Sequence, residues 1–124
     1  MMSERRTRQE IFDAAYLGLA AQGFTQSKSD QFGCAYRGAG GTKCGVGHLI
    51  PDEKYLYDLE GLSADTPDVS EAAGLSWRTE PLAIDIQGAH DGHDIDCTVS
   101  PDQMRKRLAD VAAKHGLTVP QVSA

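Results

Sequence analysis

The sequence contains no long apolar segment. No apolar run approaches the roughly 20 residues that a helix needs to cross a bilayer, so a membrane-spanning helix is not expected. Residues 1–12 are charged and then amphipathic, and they lack the apolar core and the small-residue cleavage site of a secretory signal. We therefore expect a cytoplasmic protein with no membrane partner.

Cysteine is scarce, and its count is odd. The chain has three cysteines, and thiols in the cytoplasm stay reduced. A disulfide scaffold is therefore not expected. The thiols are packing groups, metal ligands or a nucleophile, and the sequence leaves these three roles open.

The chain also lacks internal repeats, low-complexity stretches and linkers. Its 124 residues are 40% apolar and 24% charged, which is ordinary for a globular domain with one core. We expect a single globular domain over residues 1–124. About six residues at the end of the chain are expected to fray.

Basic residues are rare in the middle of the chain. Residues 50–102 contain thirteen acidic residues against Lys54 and Arg78, a net charge of −11 in a chain whose total is −6. Such a stretch repels phosphates, which argues against direct nucleic-acid binding. It is either a solvated face or a surface for a basic partner protein. Trp77 within it is expected to pack as an anchor, whereas an exposed tryptophan would indicate a partner surface.

Helical periodicity marks the start of the chain. Residues 3–22 are predicted as a helix that Ser3 caps and that Gly23 ends in the left-handed conformation. Gly18 lies inside this helix, where glycine is unfavourable. We expect it to permit the close approach of another element.

Two further helices are predicted in the second half of the chain. One begins near Glu80, with an early proline that a first turn tolerates. Its buried face is predicted to hold Leu82, Ile86 and His90. The other begins with a capping box at residues 100–103 and ends at Gly116.

The segment between the first predicted helix and the helix near Glu80 predicts a β-hairpin. Residues 32–37 alternate in strand periodicity, residues 38–42 form a glycine-rich turn, and residues 43–50 follow as a second strand. If the second segment were a helical turn, Cys44 and His48 would still lie together, four residues apart. The predicted fold class is α+β, with a small β-hairpin or sheet packed against about four helices.

The hairpin contains candidate metal ligands. Cys34, Cys44 and His48 are residue types that zinc prefers, and zinc binds four such ligands in a tetrahedron. The fourth ligand is expected among His90, His93 and Cys97. The alternative is that Cys34 and Cys44 are buried thiols that pack as small hydrophobes.

The same residues also suggest a cysteine nucleophile. Cys44 is the first candidate nucleophile, His90 its base, and Asp91 the group that orients the base. The second candidates for these three roles are Cys34, His48 and Asp52. A complete catalytic signature is missing, so an enzyme is the less favoured interpretation.

The glycine-rich turn suggests an anion site. Gly40 and Gly41 can expose backbone N–H groups to a phosphate, Arg37 and Lys43 add positive charge, and Tyr36 can stack on a base. The spacing is not that of a Walker loop. The alternatives are a nucleotide-like ligand and a simple hairpin turn.

Several motifs resemble a known family. The motif CxYRG begins at Cys34, GxKCxxGxLIPDExY spans residues 41–55, and EG follows at Glu60. QEIF at residues 9–12, HD at residues 90–91 and HGLTVP at residues 115–120 add to the likeness. Together they resemble a family of small uncharacterised proteins of tailed phages, prophages and plasmids. In that family cysteine often stands at the position of His48, and cysteine is also a zinc ligand.

The resemblance implies an accessory role in the host cytoplasm. Small proteins of mobile elements commonly act on the host, so we expect a protein that binds and inhibits a host component, such as a defence-system protein. The alternatives are a small cysteine/histidine hydrolase, a protein that binds a nucleotide signal, and a zinc-stapled structural domain. The sequence leaves a homodimer open, and it does not fix a cofactor beyond the zinc hypothesis.

Overall fold

The computed structural model describes residues 7–29, 33–91 and 98–121. Within these ranges the chain forms four α-helices. They are α1 (Arg8–Ala21), α2 (Pro67–Ala73), α3 (Glu80–Asp91) and α4 (Pro101–His115). Four short 3₁₀ turns lie between α1 and α2. They span Ala39–Gly41, Gly47–Leu49, Asp52–Lys54 and Tyr57–Leu59.

Helix α1 begins later than the sequence predicts. Thr7 is the cap, and a capping box joins it to Glu10: the Glu10 N–H donates to the Thr7 hydroxyl at 3.1 Å, and the Thr7 N–H donates to the Glu10 carboxylate at 2.7 Å. The predicted cap, Ser3, lies outside the described residues. At the other end, Gly23 has φ +68°, which confirms the predicted left-handed position.

Helix α4 follows the sequence prediction closely. Ser100 and Gln103 form the expected capping box, a proline occupies the first turn, and Gly116 ends the helix with φ +69°. Its buried stripe holds Met104, Leu108 and Ala112. These signals are local in sequence, which explains why periodicity and caps place both ends of this helix.

The core lies where α3 packs along α4 and against α1. Helix α1 also packs against the turn Gly47–Leu49. The largest fully buried apolar side chains come from these elements, from α2 and from Val46 just before the turn. They are Ile11, Phe12, Leu19, Val46, Leu49, Val69, Leu82, Ile86, Met104 and Leu108. Within the described ranges, no helix combines the length and apolar character that a membrane span requires.

The predicted α+β fold class is wrong, because the protein is mainly helical. Strand pairing in the described ranges is limited to β1 (Lys28–Ser29) with β2 (Gly33–Cys34), two residues each, and one bridge between Arg37 and Lys43. No sheet of the predicted kind forms from residues 43–50 there.

Glycines explain why the second predicted strand is a turn. The His48 N–H donates to the Cys44 carbonyl at 3.0 Å, as in one helical turn. A side chain at Gly45 would come within 2.5 Å of Ile86, and one at Gly47 within 2.2 Å of the Tyr36 carbonyl oxygen. The backbone therefore packs directly on its neighbours, which a pleated strand with side chains on both faces does not allow.

Gly18 has the predicted role in α1. A Cβ built at Gly18 would lie 2.4 Å from the His48 ring. The missing side chain thus lets the turn at 47–49 approach the helix backbone, which offsets the cost of a glycine inside a helix.

Candidate functional site

Glu60 holds the segment that carries Tyr36 and Arg37. This carboxylate is only 7% exposed, and it accepts hydrogen bonds from the Tyr36 N–H at 2.9 Å and the Arg37 N–H at 3.1 Å. It also accepts from the Tyr55 hydroxyl at 2.5 Å. Burial, together with this bond to Glu60, raises the pKa of Tyr55 to about 12. We call these four residues the Glu60 clamp.

The Arg37 guanidinium contacts three groups of the protein itself. Its Nη2 lies 2.8 Å from the Asp52 carboxylate and donates to the Ile50 carbonyl at 3.0 Å, and its guanidinium lies 4.4 Å from the centre of the Tyr55 ring. Its Nε is buried and has no hydrogen-bond partner in the described ranges. The geometry therefore directs this cation to Asp52 and the Ile50 carbonyl.

The glycine turn lies at the surface. Gly40 and Gly41 have φ +71° and +78°, as the predicted turn requires, and both are exposed. The Gln22 side-chain amide makes two hydrogen bonds with the backbone of Lys43. It donates to the carbonyl at 2.7 Å and accepts from the N–H at 3.1 Å. An anion site at Arg37, Gly40, Gly41 and Lys43 stays a prediction.

A pocket of about 310 Å³ lies between the C-terminal end of α3, residues 34–36 and residues 61–63. The Tyr36 hydroxyl donates to the Leu62 carbonyl at 2.5 Å and accepts from Gln87 at 3.0 Å. Burial raises the pKa of Tyr36. The walls of the pocket are formed by Cys34, Ala35, Tyr36, Cys44, Gly61, Leu62, Ser63, Gln87 and Asp91. Cys34 and Cys44, the two candidate thiols, thus line one cavity.

One group of potential ligands lies at this pocket. In the part of the chain that the structure describes, Cys34, His90 and Asp91 place one ligand atom each within 4.8 Å of one another. The predicted set of Cys34, Cys44 and His48 does not form such a group. His93 and Cys97, named as possible fourth ligands, lie outside the described residues.

Hydrogen bonds fix the tautomer of His90. The ring is fully buried, and its Nε2 accepts the Ser27 N–H at 2.8 Å. The proton of the neutral ring is therefore on Nδ1, which donates to the Asp91 carboxylate at 2.7 Å. Since Nε2 already accepts a backbone N–H, neither nitrogen is available to take a proton from a thiol.

Cys44 is enclosed, as the packing alternative expects. Its side chain is 2% exposed, and burial strongly raises the pKa of the thiol. The Gly47 N–H donates to Sγ at 3.2 Å. Of the predicted triad, the structure pairs His90 with Asp91, and both nitrogens of the His90 ring have partners other than Cys44.

His48 belongs to a different part of the interior. Its Nε2 donates to the Gln22 side chain at 3.1 Å, beside the backbone of Lys43. Burial, with a smaller effect of Lys43, lowers the pKa of His48 to about 4. The ring is therefore neutral near pH 7, and it packs against α1 at Gly18.

Cys34 lies beside His90 at the end of α3, as the zinc hypothesis with His90 as fourth ligand requires, but the part that Gln26 plays in this contact was not predicted. Gln26 helps to form it: its side chain donates to the His90 carbonyl at 2.8 Å and accepts from the Val99 N–H at 2.9 Å. It also lies 3.9 Å from the Cys34 sulfur. A single glutamine in a polar loop carries no sequence signal for such a role, since His90 and Val99 are 64 and 73 residues away in the chain.

The acidic segment, residues 52–78, exposes large apolar and aromatic side chains beside its carboxylates. Trp77 is 75% exposed, so the expectation that it packs as an anchor is wrong; its ring lies 4.9 Å from the Arg78 guanidinium. Leu56 and Tyr57 are 64% and 59% exposed. The exposed acidic residues of the segment are Asp52, Glu53, Asp58, Asp65, Asp68 and Glu71.

A shallow groove of about 410 Å³ separates α3 from α4. Ile84 is exposed on its wall, and Asp85 pairs with Lys114 at 3.0 Å and with the His115 ring at 2.8 Å. The other His115 nitrogen accepts from Arg8 at 2.7 Å, which ties α1 to both helices. Burial favours a higher pKa for Asp85, but the contacts with His115 and Lys114 outweigh it and lower the pKa of this carboxyl group.

Comparisons with protein-family models, with curated proteins and with solved structures give no match to this chain.

Proposed function

We propose that this chain is a phage-type accessory protein that binds and inhibits a host protein in the host cytoplasm, with a defence-system protein as the target class. The mobile-element part of this proposal comes from the sequence motifs. The binding part is supported by the acidic segment. The proposal does not require an enzymatic activity.

The single observation that carries the binding proposal is the exposure of Trp77. A tryptophan that is 75% exposed leaves most of a large apolar ring in water. Tryptophan, with tyrosine and arginine, is enriched among the interface residues that dominate binding energy. Leu56 and Tyr57 add two more large exposed side chains on the same acidic segment.

The charge of the segment specifies the chemistry of the partner. Residues 52–78 contain seven acidic and two basic residues, and six of the acidic side chains are exposed. The complementary surface is basic at its rim, with an apolar cleft for an aromatic ring. Such a complex should form faster at low ionic strength, because exposed charges are screened by salt.

The test is a comparison of variants on a captured partner. The wild-type chain is used to capture proteins from a host lysate, and each captured protein is purified and titrated by calorimetry against wild type, Trp77→Ala and Leu17→Ala. Leu17 is the matched control, because it is a 44% exposed apolar residue on α1, outside the acidic segment.

We expect Trp77→Ala to weaken binding by at least about tenfold and Leu17→Ala to leave it unchanged. The purified partner's activity should fall when the wild-type chain is added. The proposal would be refuted if the captured partner bound Trp77→Ala as tightly as wild type. It would also be refuted if the lysate yielded no protein whose binding requires Trp77.

A further inference from the structure

We propose that the groove between α3 and α4 binds the Trp77 side chain of a second copy of this chain. The contact joins two different patches, because the groove lies on the helices and Trp77 on the acidic segment. It does not depend on the proposed function, since it concerns the chain alone. It adds a competition: a host protein can bind Trp77 only on a copy whose ring is outside a groove.

Gly88 leaves the groove open. A Cβ built at this residue meets no atom within 4 Å, whereas one built at Gly18 or Gly45 would lie within 2.5 Å of a neighbouring side chain. Packing inside the chain therefore accounts for Gly18 and Gly45 but not for Gly88. A glycine inside a helix is unfavourable, and the space that this one leaves belongs to the groove.

The walls of the groove suit an aromatic ring. Ile84, Ala89 and Val111 line it, and Ile84 is 41% exposed. Pockets of about 300–1,000 Å³ hold drug-sized ligands, so the 410 Å³ of this groove accommodate an indole. Trp77 is 75% exposed in the single chain. Entry into the groove would remove both apolar surfaces from water, which favours association.

The groove contains two charged side chains with partners and two without. Asp85 and Lys114 pair with each other at 3.0 Å. Arg107 and Asp110 also line the groove, but neither side chain has an ion pair within the described ranges. One cation and one anion at the groove are therefore available to a second copy.

The surroundings of Trp77 complement these two charges. The Arg78 guanidinium lies 4.9 Å from the Trp77 ring, so it enters the contact with the indole and can pair with Asp110. Exposed carboxylates of the acidic segment, such as Glu71, can pair with Arg107. The charges at the groove thus select an aromatic ring that has a cation beside it and acidic residues around it.

The experiment follows the purified full chain from about 1 μM to about 1 mM. Sedimentation velocity measures association, and fluorescence reports the burial of Trp77, because it is the single tryptophan of the chain. We expect the sedimentation coefficient to rise and the emission to shift to the blue over the same concentration range. Added salt should move both changes to higher concentration, since it screens the exposed charges.

Substitutions in either patch should weaken association. We expect Trp77→Ala and Gly88→Gln each to weaken it by at least about tenfold, and Arg107→Gln by about threefold. Lys106→Gln is the matched control and should have no effect, because Lys106 is an exposed cation of α4 that does not line the groove. Circular dichroism and thermal unfolding check that every variant is folded.

Mixing two variants tests the pairing of the patches. Trp77→Ala keeps the groove and Gly88→Gln keeps the tryptophan, so the two should associate with each other although neither associates with itself. The proposal would be overturned by a wild-type chain that stays monomeric throughout, by association that persists in either variant, or by a mixture that stays monomeric. These outcomes leave the host-binding proposal standing, because that proposal is tested on a captured partner.

Discussion

The acidic middle of the chain contains two regions that use the same residue types in opposite ways. In the Glu60 clamp, one buried carboxylate accepts three hydrogen bonds from Tyr36, Arg37 and Tyr55. In the surrounding acidic segment, carboxylates such as Asp58 and aromatic rings such as Trp77 are exposed.

The difference separates what stabilises the fold from what is available to a partner. A buried carboxylate is tolerated only when its acceptor sites are satisfied, so removing Glu60 must cost stability. Exposed charges contribute little to stability, and an exposed tryptophan gains little from folding. Sequence alone gives both regions the same acidic character.

The largest expected effect comes from breaking the clamp with Glu60→Gln. The amide would direct an N–H group at donors that need an acceptor, so we expect the free energy of unfolding to fall by about 3 kcal/mol. Urea denaturation followed by circular dichroism measures it. Glu53→Gln is the exposed control and should stay within about 0.5 kcal/mol. Equal effects of both substitutions would show that the two regions do not differ.

A pair of glycine substitutions separates packed from open helix surface. Gly18→Ala places a Cβ against the His48 ring and should destabilise the protein by about 2 kcal/mol. Gly88→Ala, inside α3, meets no atom within 4 Å and should stabilise it by about 1 kcal/mol. Thermal unfolding of both variants checks the opposite signs. A stable Gly18→Ala protein would contradict the close contact with His48.

The interior around His48 should make stability depend on pH. The folded-state pKa of His48 is about 4, below its usual value of 6.5. As the pH falls below 6.5, the unfolded chain therefore binds a proton before the folded chain does, and stability is lost down to about pH 4. Between pH 7.5 and pH 5 we expect this residue to lower the unfolding free energy by about 2 kcal/mol.

The control for this pH dependence is His48→Gln, which keeps a side-chain amide near Gln22. Urea denaturation at several pH values should give the variant a smaller loss of stability toward pH 5 than the wild type shows. The same loss in both proteins would mean that His48 does not titrate as its burial requires.

The smallest effect on stability is expected at the acidic surface. Trp77→Ala should change the free energy of unfolding by no more than about 0.5 kcal/mol, because the ring is mostly in water. Denaturation of this variant is therefore also the control for the binding experiment. A large destabilisation would show that Trp77 contributes to packing after all.

The sequence predicted features that depend on neighbours in the chain. The capping box of Ser100 and Gln103, the stop at Gly116 and the buried stripe through Leu82, Ile86 and His90 all follow from spacing. The prediction that Gly18 permits a close approach is also confirmed. It followed from the residue type, because a glycine inside a helix is unfavourable and needs a compensating contact.

Interactions between distant segments could not be predicted in this way. Alternation suggested a hairpin, but Gly45 and Gly47 pack their backbones against Ile86 and Tyr36, and the second strand becomes a turn. Tertiary packing also places Cys34 beside Asp91 and His48 against α1 at Gly18.

The sequence by itself determined the helix caps, the apolar stripes and the acidic character of the middle, because each depends on local spacing or composition. Only the tertiary structure decided which carboxylate is buried, which thiols share a pocket and which aromatic ring stays in water. Those outcomes depend on packing between residues far apart in the chain, where small differences in close contact select one arrangement over another.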